Sequence, residues 1–127
     1  MDFLRIWADT DGESHLEEVT TGRRVHPAEA GVAELWESEP IAVSGLSIVT
    51  VRAGDQRPDW HRGPRRQFVV FLDGWVRITT SDGDRRELPR GSVVLVEDVE
   101  GRGHVTEDEP GDRRVLILPA PPSDAAP

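Results

Sequence analysis

Apolar and polar positions alternate along most of this chain with the period of two that marks half-buried strands. Phe3 to Trp7 and His15 to Val19 are strand-like runs, and the Asp11-Gly12 pair between them is a hairpin turn signal. From Ile41 onward, runs of four to eight residues are bounded by Gly, Pro and Asp. Leu46 to Arg52 alternates cleanly, and Gln67 to Leu72 is almost continuously apolar. Asp73-Gly74 turns the chain into Trp75 to Thr80, and Ser81-Asp82-Gly83-Asp84 turns it into Arg85 to Leu88. Pro89-Arg90-Gly91 precedes the apolar run Ser92 to Val96, and Arg114 to Leu118 is the last strand. Many short strands separated by turn chemistry predict an all-β antiparallel sandwich or barrel. Residues 27 to 36 offer a Pro at a first helical position, against a Gly in mid-run, so at most one short helix is expected there.

Strand period also predicts which side chains share a face. Gln67, Val69 and Phe71 lie together, as do Val76 and Ile78 on the next strand; set inward, they form an apolar lining with one polar end. Phe68, Val70 and Leu72 then form an apolar outer face that needs covering, by the N-terminal hairpin or by a second subunit.

A length of 127 residues suits one domain. Within it, residues 1–40 are expected to be N-terminal strands packing on the barrel, 41–119 the core, and 120–127 a disordered tail with little to bury. No apolar run approaches the roughly 20 residues of a membrane span, and the first residues lack a secretory leader's basic and apolar segments, so a cytoplasmic protein is expected. The net charge of −9 argues against nucleic-acid binding, which depends on cationic side chains displacing counterions. Cys, Lys, Tyr and Asn are all absent. That removes thiol nucleophiles, thiolate ligands, lysine Schiff bases and tyrosine proton donors, leaving acid–base work to His, Asp and Glu.

Two segments over residues 54 to 108 carry a recognisable pattern. In the first, Gly54 is followed by His61, then Gln67, then Gly74; in the second, Gly101-Arg102-Gly103-His104 is followed by Asp108. The pair resembles the two motifs of the cupin superfamily. In that family the first motif carries two His and a Glu, and the second a His and an Asn. Here Gln67 stands where Glu is usual, Asp108 replaces Asn, Val99 replaces a usual Pro, and the second His falls at Arg62 or Gly63. The resemblance implies a single cupin-type jelly-roll β-barrel with a small-molecule site at one mouth, formed by His61, Gln67 and His104.

A complete site of that family would offer three imidazoles and a carboxylate to Fe, Mn, Ni or Zn; this chain offers two imidazoles and an amide oxygen. Three functions follow as expectations. The first is non-redox acid–base chemistry on a small organic molecule, of isomerase, cyclase or lyase type, with His61 and His104 moving protons and Gln67 polarising an oxygen. The second is a metal-dependent oxygenase with His61, Gln67 and His104 as ligands to one divalent metal. The third is a non-catalytic binding module. Trp60 and Arg66, with Val69 and Phe71, are the expected substrate contacts; Trp60, Arg62, Arg65 and Arg66 can equally be a solvated rim. Burying Gln67 unpaired would cost roughly 1–3 kcal/mol, so a partner for its amide is required. The resemblance also implies a homodimer, with Phe3, Ile6 and Trp7 as contact residues.

Overall fold

The computed structural model describes residues 1–53 and 58–122. Gly54, the start of the first motif, and residues 123–127 of the tail lie outside the described residues. The described chain is all-β: β1 (Phe3–Ala8), β2 (Ser14–Val19), β3 (Arg24–His26), β4 (Leu35–Glu37), β5 (Ser47–Val51), β6 (Gln67–Phe71), β7 (Val76–Thr80), β8 (Arg85–Leu88), β9 (Val93–Val96), β10 (His104–Asp108) and β11 (Arg113–Pro119). No helix among the described residues is long and apolar enough to cross a membrane.

Three sheets form, of six strands in the order β2-β1-β9-β6-β11-β5, of three in the order β10-β7-β8, and of the pair β3-β4. Inward-facing residues of the two larger sheets share one core: Leu4, Ile6, Phe71, Val94, Val96 and Val115 from one, Val76, Ile78 and Leu88 from the other. The inward rows predicted for β6 and β7 are therefore the observed ones, since a strand with one buried face has only one acceptable register.

The N-terminal hairpin forms as expected, with Ile6 opposite Leu16. Its first strand is not laid over the sheet as an added arm. It is built into the sheet, pairing in parallel with β9 through Leu4 with Val94 and Ile6 with Val96. Ile6 is accordingly core, Phe3 packs edge-on against Phe68 at 5.3 Å, and Trp7 stacks on His15 at 4.6 Å. These three side chains are engaged within their own chain.

Residues 27–36 form no helix. Glu29 and Val32 exchange backbone hydrogen bonds of 3.0 Å across Ala30-Gly31, and Gly31 at φ +80° takes the left-handed conformation that reverses the chain. The result is the hairpin β3-β4, with Val25 opposite Trp36.

Candidate functional site

The site lies where the ends of the two larger sheets meet. His61 precedes β6 and His104 begins β10, and the two exchange backbone hydrogen bonds, His61 N–H to His104 O at 3.0 Å and His104 N–H to His61 O at 2.9 Å. Their rings stand 4.5 Å apart, tilted by 58°. Gly103 permits this approach: its φ is +77°, and a Cβ there would fall 2.1 Å from the His61 carbonyl oxygen. The Gly immediately before His104 thus has a steric cause, which is backbone contact with the other histidine.

Asp98 is the residue that sequence reasoning missed. It is 0% exposed, and its Oδ2 lies 2.6 Å from Nδ1 of His104, itself 4% exposed. A carboxylate accepting at that distance holds the Nδ1–H tautomer, leaving Nε2 with the lone pair when the ring is neutral. The signal was present in the alternation. Val94 and Val96 face inward, and two residues further the same row ends on Asp98. The backbone of Asp98 also braces the site, its carbonyl accepting from Gly63 N–H at 3.0 Å.

His61 is the exposed member of the pair. Its Nδ1 lies 3.1 Å from the carbonyl oxygen of Asp59, an acceptor only, so Nδ1 donates and Nε2 is again the bare nitrogen of the neutral ring. Gln67 is 6% exposed, and its Oε1 accepts from Nε of Arg65 at 3.0 Å. With the oxygen so engaged, the amide NH2 is what Gln67 has left to donate.

These three side chains border a cavity of about 150 Å³ whose walls are Ile6, Val69, Phe71, Ile78, Val94 and Val96, with Thr106 one alternation beyond His104. Val69 and Phe71, expected as substrate contacts, lie on this wall. His61 and Thr106 also border a wider groove of about 660 Å³ that includes Asp59, Trp75 and Glu107, so His61 stands between cavity and surface.

Trp60 and Arg66 are not among the cavity's walls. Trp60 is 48% exposed. Arg66 precedes inward-facing Gln67 and so projects to the opposite side, where Nε meets Glu97 at 2.6 Å and Nη1 meets the Pro121 carbonyl at 2.9 Å. Burial pushes the Glu97 carboxyl up, but the guanidiniums of Arg5 and Arg66 outweigh it and hold the group below its ordinary range. Asp108 forms an ion pair with Arg113.

The donors present do not fit the metal centre that the motifs imply. A third imidazole has no room at 63, because even a Cβ on Gly63 would lie 2.4 Å from Val96 Cγ1, and Arg62 at the other candidate position is exposed. The amide oxygen of Gln67 is turned to a cation, and Asp98 is tied behind His104. Among the described residues no group of three His, Asp or Glu side chains is arranged to hold a metal ion.

What the site does present is two imidazole nitrogens with free lone pairs, one buried amide donor and an otherwise apolar enclosure. Compared with known proteins, the chain matches no protein-family model and no curated protein.

Proposed function

We propose that this chain is a small cupin-type jelly-roll barrel that acts in the cytoplasm as a non-redox acid–base enzyme on a small organic molecule. The observation that carries the reading is the buried Asp98–His104 pair opening onto an apolar cavity of about 150 Å³. A carboxylate behind an imidazole fixes its tautomer and stabilises the imidazolium that forms when Nε2 takes a proton. The mostly apolar walls strengthen charge interactions made inside.

In this reading His104 removes a proton from carbon next to a carbonyl or similar group. The amide NH2 of Gln67 donates to the oxygen on which negative charge develops. His61, 4.5 Å from His104 ring to ring and bordering the outer groove, takes that proton on its own Nε2 from the His104 imidazolium, delivers it to a neighbouring atom so that both rings end neutral, and while protonated exchanges it with solvent. The net change is movement of a hydrogen and a double bond, as in an isomerase, or loss of a leaving group, as in a lyase. The cavity suits a ligand moiety about the size of a benzene ring.

The test is hydrogen exchange in D2O, followed by NMR, with a panel of small enolisable ketones and aldehydes. Wild-type protein is expected to exchange the acidic C–H of at least one compound. The His104→Ala protein should lose roughly 10²–10⁴-fold of that rate. Binding of the panel without exchange, unchanged in a His61→Ala, His104→Ala double variant, would establish a binding module instead.

A further inference from the structure

The loop from His61 to Gln67 forms one rim of the cavity: His61, Gly63, Pro64 and Gln67 border the enclosed space, and the arginines between them, Arg62, Arg65 and Arg66, do not. Arg65 nevertheless stands against the site, because its Nε donates to Gln67 Oε1 at 3.0 Å.

The rim arginines differ in what their charge is set against. Arg66 is committed to Glu97, which Arg5 also holds. Among the described residues every other arginine except Arg62, Arg65 and Arg90 likewise pairs with an Asp or Glu side chain. The chain has 24 acidic residues for 15 basic ones, so a shortage of carboxylates does not explain why two of these three cations lie in the rim of the cavity.

The acidic groups around the cavity are engaged or lie on its other side. Asp98 is bound to His104, and Glu97 to Arg5 and Arg66. Asp59, Glu107, Asp108 and Glu109 border the wider groove beyond His61, together with Arg52 and Arg113. The mouth is thus cationic at its Gln67 end and rich in carboxylates on the groove side of His61.

Arg65 also has the donors that an anion needs. With Nε–H given to Gln67, the Nη1–Nη2 edge of its guanidinium remains, a planar pair of N–H groups that matches the two oxygens of a carboxylate. Gln67, 6% exposed, has its amide NH2 without an acceptor among the described residues, at the cavity. The bare Nε2 atoms of neutral His61 and His104 accept rather than donate, so they direct an anion away from themselves and toward the Gln67–Arg65 end.

We propose that the cavity takes a small organic acid whose carboxylate lies next to the reacting carbonyl, Arg65 binding the carboxylate at the mouth and Gln67 the carbonyl oxygen. One amide couples the two donors, its oxygen held by Arg65 and its nitrogen free, so groups on neighbouring carbons reach both. The carbon on the far side of the carbonyl is then turned toward the two imidazoles. The placing of the carbonyl rests on the acid–base reading of the site, whereas the anion preference of Arg65 does not require proton transfer.

Titration of the full chain near neutral pH, followed by ligand-observed NMR, tests this with two pairs of probes that differ chiefly in charge: pyruvate with pyruvamide, and benzoate with benzamide. Wild type is expected to bind a carboxylate at least about tenfold more tightly than its amide. Arg65→Gln should abolish that preference with the far-ultraviolet spectrum unchanged, since Arg65 is exposed. Arg90→Gln, at an exposed arginine in the β8–β9 turn, should keep it. A wild type that binds neither carboxylate, or binds acid and amide alike, overturns the proposal, as does a preference that Arg65→Gln leaves intact. Benzoate has no enolisable hydrogen, so the two readings fail separately. An Arg65-dependent preference with no hydrogen exchange on pyruvate or on neutral carbonyl compounds supports the anion site and removes the acid–base reading. Exchange on neutral ketones, with no preference for either carboxylate, does the reverse.

Discussion

Asp98 and His104 meet through a 2.6 Å contact in which neither residue is more than 4% exposed, and this contact determines what the cavity's deeper imidazole can do. The carboxylate removes Nδ1 from consideration and leaves Nε2 as the reactive nitrogen. Replacing Asp98 by Asn keeps the shape but offers His104 either an amide oxygen or an amide NH2. The ring's ¹⁵N shifts should therefore move from the Nδ1–H pattern of the wild type toward a mixture with Nε2–H. Proton exchange on the responsive carbonyl compound should fall by somewhere between about tenfold and 10⁴-fold, with a smaller change in binding. An unaltered tautomer with an unaltered rate would remove Asp98 from the site.

Removing the carboxylate altogether tests its structural share. In the Asp98→Ala protein the buried Nδ1–H of His104 loses its partner, and urea unfolding should show a loss of about 1–3 kcal/mol. His104→Ala, Asp98→Ala should cost less than the sum of the single changes, because the second substitution leaves no new group unpaired. Strict additivity would mean that the two side chains do not interact in solution.

Much of this arrangement was legible from alternation alone. β1, β2, β5, β6, β7, β9 and β11 were each marked by an apolar row and a turn, β8 by its flanking turns alone, and Gln67, Val69 and Phe71 face the cavity because a buried face admits one register. The same alternation, continued from Val96 to Asp98 and from Gln67 back to Arg66, also specifies that Asp98 points in and Arg66 points out. What the pattern could not carry was non-local. The parallel pairing of β1 with β9 joins segments some ninety residues apart. β10 is a strand because it pairs with β7, although Thr106, Glu107 and Asp108 give it little apolar character. β3 and β4 are three residues each, too short to show a period.

Two glycines, Gly103 at the site and Gly83 in the β7–β8 turn, make a graded prediction. Gly103→Ala introduces a Cβ 2.1 Å from the His61 carbonyl oxygen at φ +77°, whereas Gly83→Ala meets open space at φ +89°. Both substitutions incur the left-handed backbone cost of roughly 1–2 kcal/mol. Only Gly103→Ala must also break the His61–His104 backbone pairing. Its destabilisation in urea should exceed that of Gly83→Ala by at least about 1 kcal/mol, and the two ring spin systems should lose their mutual nuclear Overhauser contacts. Equal costs would show that the backbone approach of the two histidines is not tightly held.

Gly63 is confined by a side chain rather than by backbone, which allows a rescue. A Cβ at 63 would sit 2.4 Å from Val96 Cγ1. Gly63→Ala should therefore destabilise by about 1–3 kcal/mol through overpacking. Combined with Val96→Ala, which vacates that volume, it should cost measurably less than it does alone, giving a coupling of at least about 0.5 kcal/mol in a double-mutant cycle. The absence of coupling would mean that the loop before β6 shifts to make room, and the steric case against a third imidazole at 63 would fall with it.

The last prediction concerns pH and a cluster away from the cavity, where the N-terminal hairpin meets the β7–β8 turn. His15 Nε2 lies 2.7 Å from Asp9 and Nδ1 lies 3.1 Å from Asp82, with Trp7 stacked on the ring. The contact with Asp9 foremost, and then that with Asp82, raises the imidazole above its ordinary 6.5 despite some burial. Asp9 is lowered chiefly by His15, and Asp82 is lowered although burial opposes it, through Thr80, the Asp84 backbone N–H and His15. The raised His15 contributes stability that is fully present below 6.5 and disappears as pH rises through its higher folded-state value. The lowered carboxyls contribute stability present above 3.8 and lost as pH falls through their lower folded-state values. The cluster is therefore strongest between those two ordinary values. His15→Gln keeps a polar side chain but cannot take the charge, so the gap in thermal midpoint between wild type and variant should be widest near about pH 5 and shrink toward about pH 8. A gap that stays constant across this range, or widens on the alkaline side, would mean that His15 stabilises the hairpin by stacking on Trp7 and not by joining the two acidic residues.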